Sequence, residues 1–274
     1  MNSAPAIATD LVLSPFGATA NELIEAAKCV EDSGFDGIWT LDHFSGAVAE
    51  KNWSHEPFTI LGSIAATTQR IKVGTLVANM MNRHPILLAS AFSSLQGVSG
   101  GRAVLGLGTG APPGTLFASE QEMINRDLHH DEERRRRLVE TIQMLRTVWS
   151  GQTHFEGEFA SFINLEAIIE PNSALPIVVG ANGLAMVQLA VEHADGVNIR
   201  LGPSIERLIE EAVVSAPNKE FEISVHESFD VNHPYGGDVD KWVQLGVHRR
   251  ACMLAAPFDL QKVSRIGTRL REDG

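Results

Sequence analysis

Thr19-Ala-Asn-Glu-Leu-Ile-Glu-Ala-Ala-Lys-Cys-Val-Glu-Asp-Ser-Gly-Phe-Asp-Gly-Ile-Trp-Thr-Leu-Asp-His-Phe44 reads as helix, stop, strand and polar end in immediate succession. Thr19 and Glu22 have the spacing of a capping box, in which hydroxyl and carboxylate satisfy the orphan N–H groups of a first turn reciprocally. Leu23, Ala26, Ala27 and Val30 then recur on one helical face. Gly34 is suited to the stop, and residues 35–41 form a short apolar run that breaks off at Asp42-His43.

The same unit recurs outward in both directions. Residues 57–67, the stretch from Pro85 through Leu88, Ala91, Phe92 and Leu95, residues 131–149 and residues 184–193 carry helical patterns. The inner face of 131–149 is Leu138, Ile142, Leu145 and Trp149, and its Arg134 to Arg137 run reads as a solvated face. Strands are predicted at 6–13, 35–41, 71–77, 103–107, 177–179, 197–199, 221–225 and 251–254, with a hairpin around Glu156-Gly157-Glu158. Eight strands alternating with helices imply a parallel sheet closed into a (β/α)8 TIM barrel, an α/β fold that typically needs about 250 residues. Residues 1–274 are therefore read as one domain.

Composition limits the partners. With 44% hydrophobic and 20% charged residues the chain has the makings of a globular core. A formal charge of −12 with one short basic run argues against nucleic acid or an anionic membrane as partner. No apolar stretch has the roughly 18 residues of a membrane span, and the first ten residues lack a signal-peptide pattern, so a cytoplasmic location is expected. Cys29 and Cys252 read as buried free thiols.

In barrel enzymes the active site forms at the C-terminal strand ends. Those places here hold Asp42, His43 and Phe44, then Asn79, then Thr109 and Gly110, then Gly180 to Gly183. His43 can exchange a proton near neutrality, and Asp42 beside it could set its tautomer or its charge. Gly106-Leu-Gly-Thr-Gly110-Ala111 matches a dinucleotide fingerprint formally, but Pro112-Pro-Gly114 follows where a helix should begin. It reads either as a close-approach site for a flat ring or as a structural turn. Gly180-Ala181-Asn182-Gly183 does open a helix, so it is either an anion site facing a helix N-terminus or an ordinary strand–helix turn. No metal-ligand helix motif, nucleophile elbow or P-loop occurs, and no metal is assigned.

Five further segments extend the pattern of Glu31 to Phe44: Thr68 to Val77, Arg83-His-Pro85, Ser99 to Gly110, Pro176 to Gly180 and Ala194-Asp-Gly-Val-Asn198. Together, in this order, they resemble the luciferase-like monooxygenase superfamily. Asp42-His-Phe44 and Val73-Gly-Thr-Leu-Val77 are more similar to its coenzyme F420 (deazaflavin) branch than to its flavin mononucleotide (FMN) branch. The resemblance implies a barrel with His43 at the reactive face of the ring. Asp42, Leu76, Val77, Asn79, Thr109 and Gly110 would line the ring and ribityl chain, and Gly180, Ala181, Asn182 and Gly183 would take the phosphate. It further implies a non-proline cis peptide between Leu76 and Val77, and a homodimer.

Two departures bear on substrate. Deazaflavin-dependent sugar-phosphate dehydrogenases of this kind carry Trp and Glu where this chain has Ala47 and Ala111, which argues against a sugar phosphate. The region after Asn198 is short for the family, so its substrate-covering insertions are expected to be reduced. The leading expectation is an F420-dependent oxidoreductase moving a hydride to or from a small organic molecule, with His43 handling a proton. The alternatives are an FMN-dependent monooxygenase and a non-catalytic flavin-binding protein of the same fold.

Overall fold

The computed structural model of the chain describes residues 7–166, 175–228 and 239–272; Ala6 of the first predicted strand lies outside them. Eight parallel strands close into a barrel. In chain order these are β1 (Ala8–Leu13), β2 (Gly37–Thr40), β3 (Lys72–Asn79), β4 (Ala103–Gly108), β7 (Ile177–Ala181), β8 (Gly196–Arg200), β9 (Glu222–Ser228) and β10 (Arg249–Leu254). The two-residue strands β5 (Phe155–Glu156) and β6 (Ser161–Phe162) make the predicted hairpin outside the barrel. The helices are α1 (Ala20–Asp32), α2 (Pro57–Thr67), α3 (Pro85–Ser99), α4 (Ser119–Met123), α5 (Asp131–Trp149), α6 (Leu184–His193), α7 (Ile205–Ser215), α8 (Val239–Gln244) and α9 (Leu260–Glu272).

Helix α1 forms as its sequence dictates. Both halves of the Thr19–Glu22 capping box are present, and Leu23, Ala26, Ala27 and Val30 are buried against the barrel. A buried leucine stabilises such an element by about 1.5–3 kcal/mol, and losing the Thr19 cap would cost about 1 kcal/mol. On α5, Leu138, Ile142, Leu145 and Trp149 are all buried as expected. The outer face of the sheet and the inner faces of the helices form one continuous apolar core.

Strand alternation sends every second residue into the barrel, where Val12, Trp39, Leu76, Val104, Val178 and Ala251 pack as a separate apolar cluster. Leu41, Val77 and Met253 pack against it. At the N-terminal end the lumen is polar: Asp10 takes the Trp39 indole N–H at 2.6 Å and an Arg249 guanidinium nitrogen at 2.6 Å. The C-terminal end is left for chemistry. Among the described residues, no helix is long and apolar enough to cross a membrane.

Helix α7 (Ile205–Ser215) lies outside the helical segments expected from the sequence. Its Ile205, Leu208, Ile209 and Ala212 nevertheless follow helical spacing and are buried.

Candidate active site

Strand β2 ends at Thr40, so Asp42 and His43 stand on the loop directly above it. The two point to different partners. Asp42 is buried and accepts from the Asn79 backbone N–H at 2.8 Å and from Arg83 Nη1 at 2.6 Å. Arg83 bonds Glu56 with its other nitrogen at 2.8 Å. Asp42 thus ties the β2 loop to the end of β3, and it is not the partner of His43 that adjacency suggested.

That partner is Glu120 of α4, whose Oε2 lies 2.5 Å from His43 Nδ1. The other oxygen, Oε1, accepts from the backbone N–H groups of Phe44 at 2.9 Å and Ser45 at 2.8 Å. Glu120 is only 2% exposed. Since a carboxylate accepts, Nδ1 carries the hydrogen, which leaves Nε2 as the ring nitrogen open to a proton from outside. Phe16 and Phe117 flank the imidazole at 5.3 and 5.4 Å between centroids. His43 is therefore held in one orientation by a buried carboxylate and two aromatic walls, with its side chain 21% exposed.

Above β3 and β4 the backbone sets the shape. The Leu76–Val77 peptide is cis, as the resemblance implied, and the β3–β4 register shifts between Thr75 and Ala78. Leu76 is buried in the lumen cluster. Val77 rests over two glycines: a Cβ on Gly108 would come within 2.5 Å of its Cγ2, and one on Gly180 within 2.8 Å of its Cγ1. The Gly106 position is filled likewise by the Thr75 carbonyl. These glycines therefore serve strand-to-strand contact and seat Val77, rather than opening room for a ring themselves.

Asn79 caps the short turn after β3 by accepting from the Met81 N–H at 2.9 Å. Gly110 sits at φ 77°, with the side chains of Asn79, Gln121 and Met81 closed around it. Thr109 and Gly110 are fixed from outside by Arg134, whose Nη1 reaches Thr109 Oγ1 at 2.9 Å and the Gly110 carbonyl at 2.6 Å. Arg134 is buried, so the solvated-face reading fails for that member of the basic run. It lies one turn into α5, on the side facing the β4 loop.

Gly180 and Ala181 end β7, Asn182 is exposed, and Gly183 precedes α6 in extended conformation. No side chain caps that helix. Its first N–H groups and the positive end of its dipole face the barrel mouth, which suits a phosphate group. The apolar shelf of Leu41, Val77 and Met253 suits a flat ring beside it. The predicted residues thus gather around one mouth. Glu120, Arg134, Arg83 and Phe117 were missed because they come from helices and loops whose approach no strand-end pattern records. A cleft of about 260 Å³ lies at the opposite end, lined by Arg146, Asp195, Asn218 and Phe221, and holds none of these groups.

The sequence profile described as luciferase-like monooxygenase matches residues 4–213. A 5,10-methylenetetrahydromethanopterin reductase of Archaeoglobus fulgidus is 34% identical over 179 residues, 65% of this chain and 48% of the relative. An F420-dependent glucose-6-phosphate dehydrogenase of Nakamurella multipartita is 32% identical over 189 residues, 64% of this chain and 51% of the relative. The chain spans about half the length of these curated relatives. Among solved structures, an F420-dependent secondary alcohol dehydrogenase with an F420–acetone adduct superposes with a TM-score of 0.79 at 15% identity, covering 97% of this chain and 98% of that one. An EDTA monooxygenase of Chelativorans sp. BNC1 does so with a TM-score of 0.77 at 14% identity, covering 98% and 94%.

Proposed function

The chain belongs to the luciferase-like monooxygenase family, and from that premise we propose that it is an F420-dependent oxidoreductase acting on a small organic substrate. The observation that carries the reading is the His43–Glu120 pair at 2.5 Å, set beside an apolar shelf and an uncapped helix N-terminus. Curated relatives named as F420-dependent glucose-6-phosphate dehydrogenases support the deazaflavin over FMN. Monooxygenases among the structural neighbours keep the FMN reading as the alternative.

The residues present fit the cofactor. Leu41, Val77 and Met253 offer the ring an apolar floor. Asn79 at the end of β3, with Thr109 and Gly110 on a loop stiffened by Arg134, would border it, and the N–H groups following Gly180 to Gly183 would hold the phosphate. F420, when bound, supplies two-electron hydride chemistry. His43 supplies the proton work: with Nδ1 bound to Glu120, its Nε2 accepts or returns the substrate's proton, and the nearby carboxylate stabilises the imidazolium in between. Phe16 and Phe117 limit water around that nitrogen. Asp42 and Arg83 act as positioning residues for the β2 and β3 loops.

A homodimer belongs to the same reading, as the family resemblance implies. The test of function is cofactor binding: F420 and FMN titrated onto the apoprotein, followed by fluorescence quenching.

A further inference from the structure

The wall of the mouth opposite His43 carries its own chemistry. In the closed order β1-β2-β3-β4-β7-β8-β9-β10, strands β8 and β9 stand across the barrel from β2 and β3. Their lumen-facing residues are fixed by one bond: Asn198 Nδ2 donates to Ser224 Oγ at 2.9 Å between two buried side chains. Alternation then places Arg200 and His226, each two residues further on, on the same inward face at the C-terminal rim. The two are register partners.

Arg200 is exposed. Arg83 and Arg134, the other arginines bordering the mouth, are each bonded to a carboxylate. No carboxylate pairs with Arg200 among the described residues, in a chain whose formal charge is −12. Glu227, which adjoins His226, alternates to the outer face and pairs with Arg250 at 3.2 Å, while Asp195 and Glu206, the acids nearest Arg200 in sequence, pair with Arg146 and Lys241. Burial, together with the Arg200 charge beside it, pushes the His226 imidazole down to about 4. At neutral pH it is therefore an uncharged hydrogen-bonding group beside a single cation. One guanidinium fork matches one carboxylate in charge and in bidentate geometry.

We propose that Arg200, with His226 beside it, anchors the carboxylate of a small organic monocarboxylate substrate, leaving the reacting carbon toward His43. This rests on the active-site reading above and names the substrate class for it. The cofactor phosphate belongs to the α6 N-terminus, one strand away, so the two anions do not compete.

The test uses pyruvate, benzoate and octanoate, each with its methyl ester, and inorganic phosphate, titrated calorimetrically onto the F420-loaded protein and onto the apoprotein. At least one carboxylate binds with a Kd below about 1 mM, and its ester binds at least about tenfold more weakly. Arg200→Met weakens that carboxylate by about 10- to 100-fold, Arg200→Lys weakens it less, and His226→Gln weakens it several-fold. F420 affinity stays within about twofold of the parent in all three variants. Binding of no carboxylate, esters as tight as the acids, or phosphate tighter than every carboxylate each overturns the proposal. So does a loss of F420 affinity in Arg200→Met, which would make Arg200 a cofactor ligand. Failure of F420 to bind the parent overturns the cofactor reading instead, and the apoprotein titration still decides on Arg200.

Discussion

Replacing Glu120 separates its structural task from its effect on His43. Its carboxylate accepts from the backbone N–H groups of Phe44 and Ser45 and from His43 Nδ1, while only 2% exposed. Glu120→Ala leaves two backbone donors and one ring donor without their acceptor. At about 1–3 kcal/mol for each orphaned backbone donor, and with some water reaching the loop, the loss comes to about 2–5 kcal/mol. Glu120→Gln keeps a carbonyl oxygen for Phe44 and Ser45, so it recovers about half of that. Its amide, however, turns an N–H toward Nδ1 and drives the ring hydrogen to Nε2. Urea denaturation measures the first effect. Nitrogen NMR of the histidine ring, assigned with His43→Ala, measures the second, and neither needs a known substrate. A Glu120→Ala loss under about 0.5 kcal/mol, with unchanged His43 resonances in Glu120→Gln, would refute the pairing.

His43→Ala should lower turnover by about 100-fold or more while leaving cofactor affinity within a few-fold, and parallel loss of both would make the ring a pocket wall. Gly180→Ala, whose Cβ would stand 2.8 Å from Val77 Cγ1, should destabilise the fold by about 1–3 kcal/mol in denaturant. Adding Val77→Ala should recover part of that loss, and strict additivity of the two changes would contradict the contact. Because His226 is lowered from 6.5 to about 4 in the fold, the unfolded chain takes up that proton first. Stability should therefore fall as pH drops from about 6.5 to about 4, by up to about 3 kcal/mol. His226→Gln should flatten that window, and an unchanged pH profile would count against a buried neutral ring.

The barrel was legible because its signals are local and periodic. The Thr19 cap, the apolar face of α1 and the run through Trp39 each specify their element without help, and repetition specifies closure. The strand-end positions of His43, Asn79, Thr109 and Gly110 followed from the same periodicity. What bonds to what did not. Asp42 adjoins His43 in sequence, yet its loop turns it to Asn79 and Arg83, while Glu120 arrives 77 residues later in sequence from a five-residue helix. Arg134 looked like one of four solvated charges, and only the β4 loop packed across α5 explains why it is buried. The glycines of 106–110 read either as room for a ring or as a turn, and the Thr75 carbonyl and Val77 of the neighbouring strand occupy the places that side chains at 106 and 108 would take. Arg200 and His226 escaped notice because their adjacency depends on the register between β8 and β9, which the sequence of either strand alone does not contain.

A mouth built for a deazaflavin should prefer F420 to FMN. Titration of F420 and of FMN onto the purified apoprotein, each read by quenching of its own fluorescence, tests it directly. F420 should bind saturably with a Kd in the low micromolar range or below, about −8 kcal/mol or stronger, and FMN at least about tenfold more weakly. Saturable binding of FMN alone at micromolar concentration would contradict it and make the flavin monooxygenase reading the correct one.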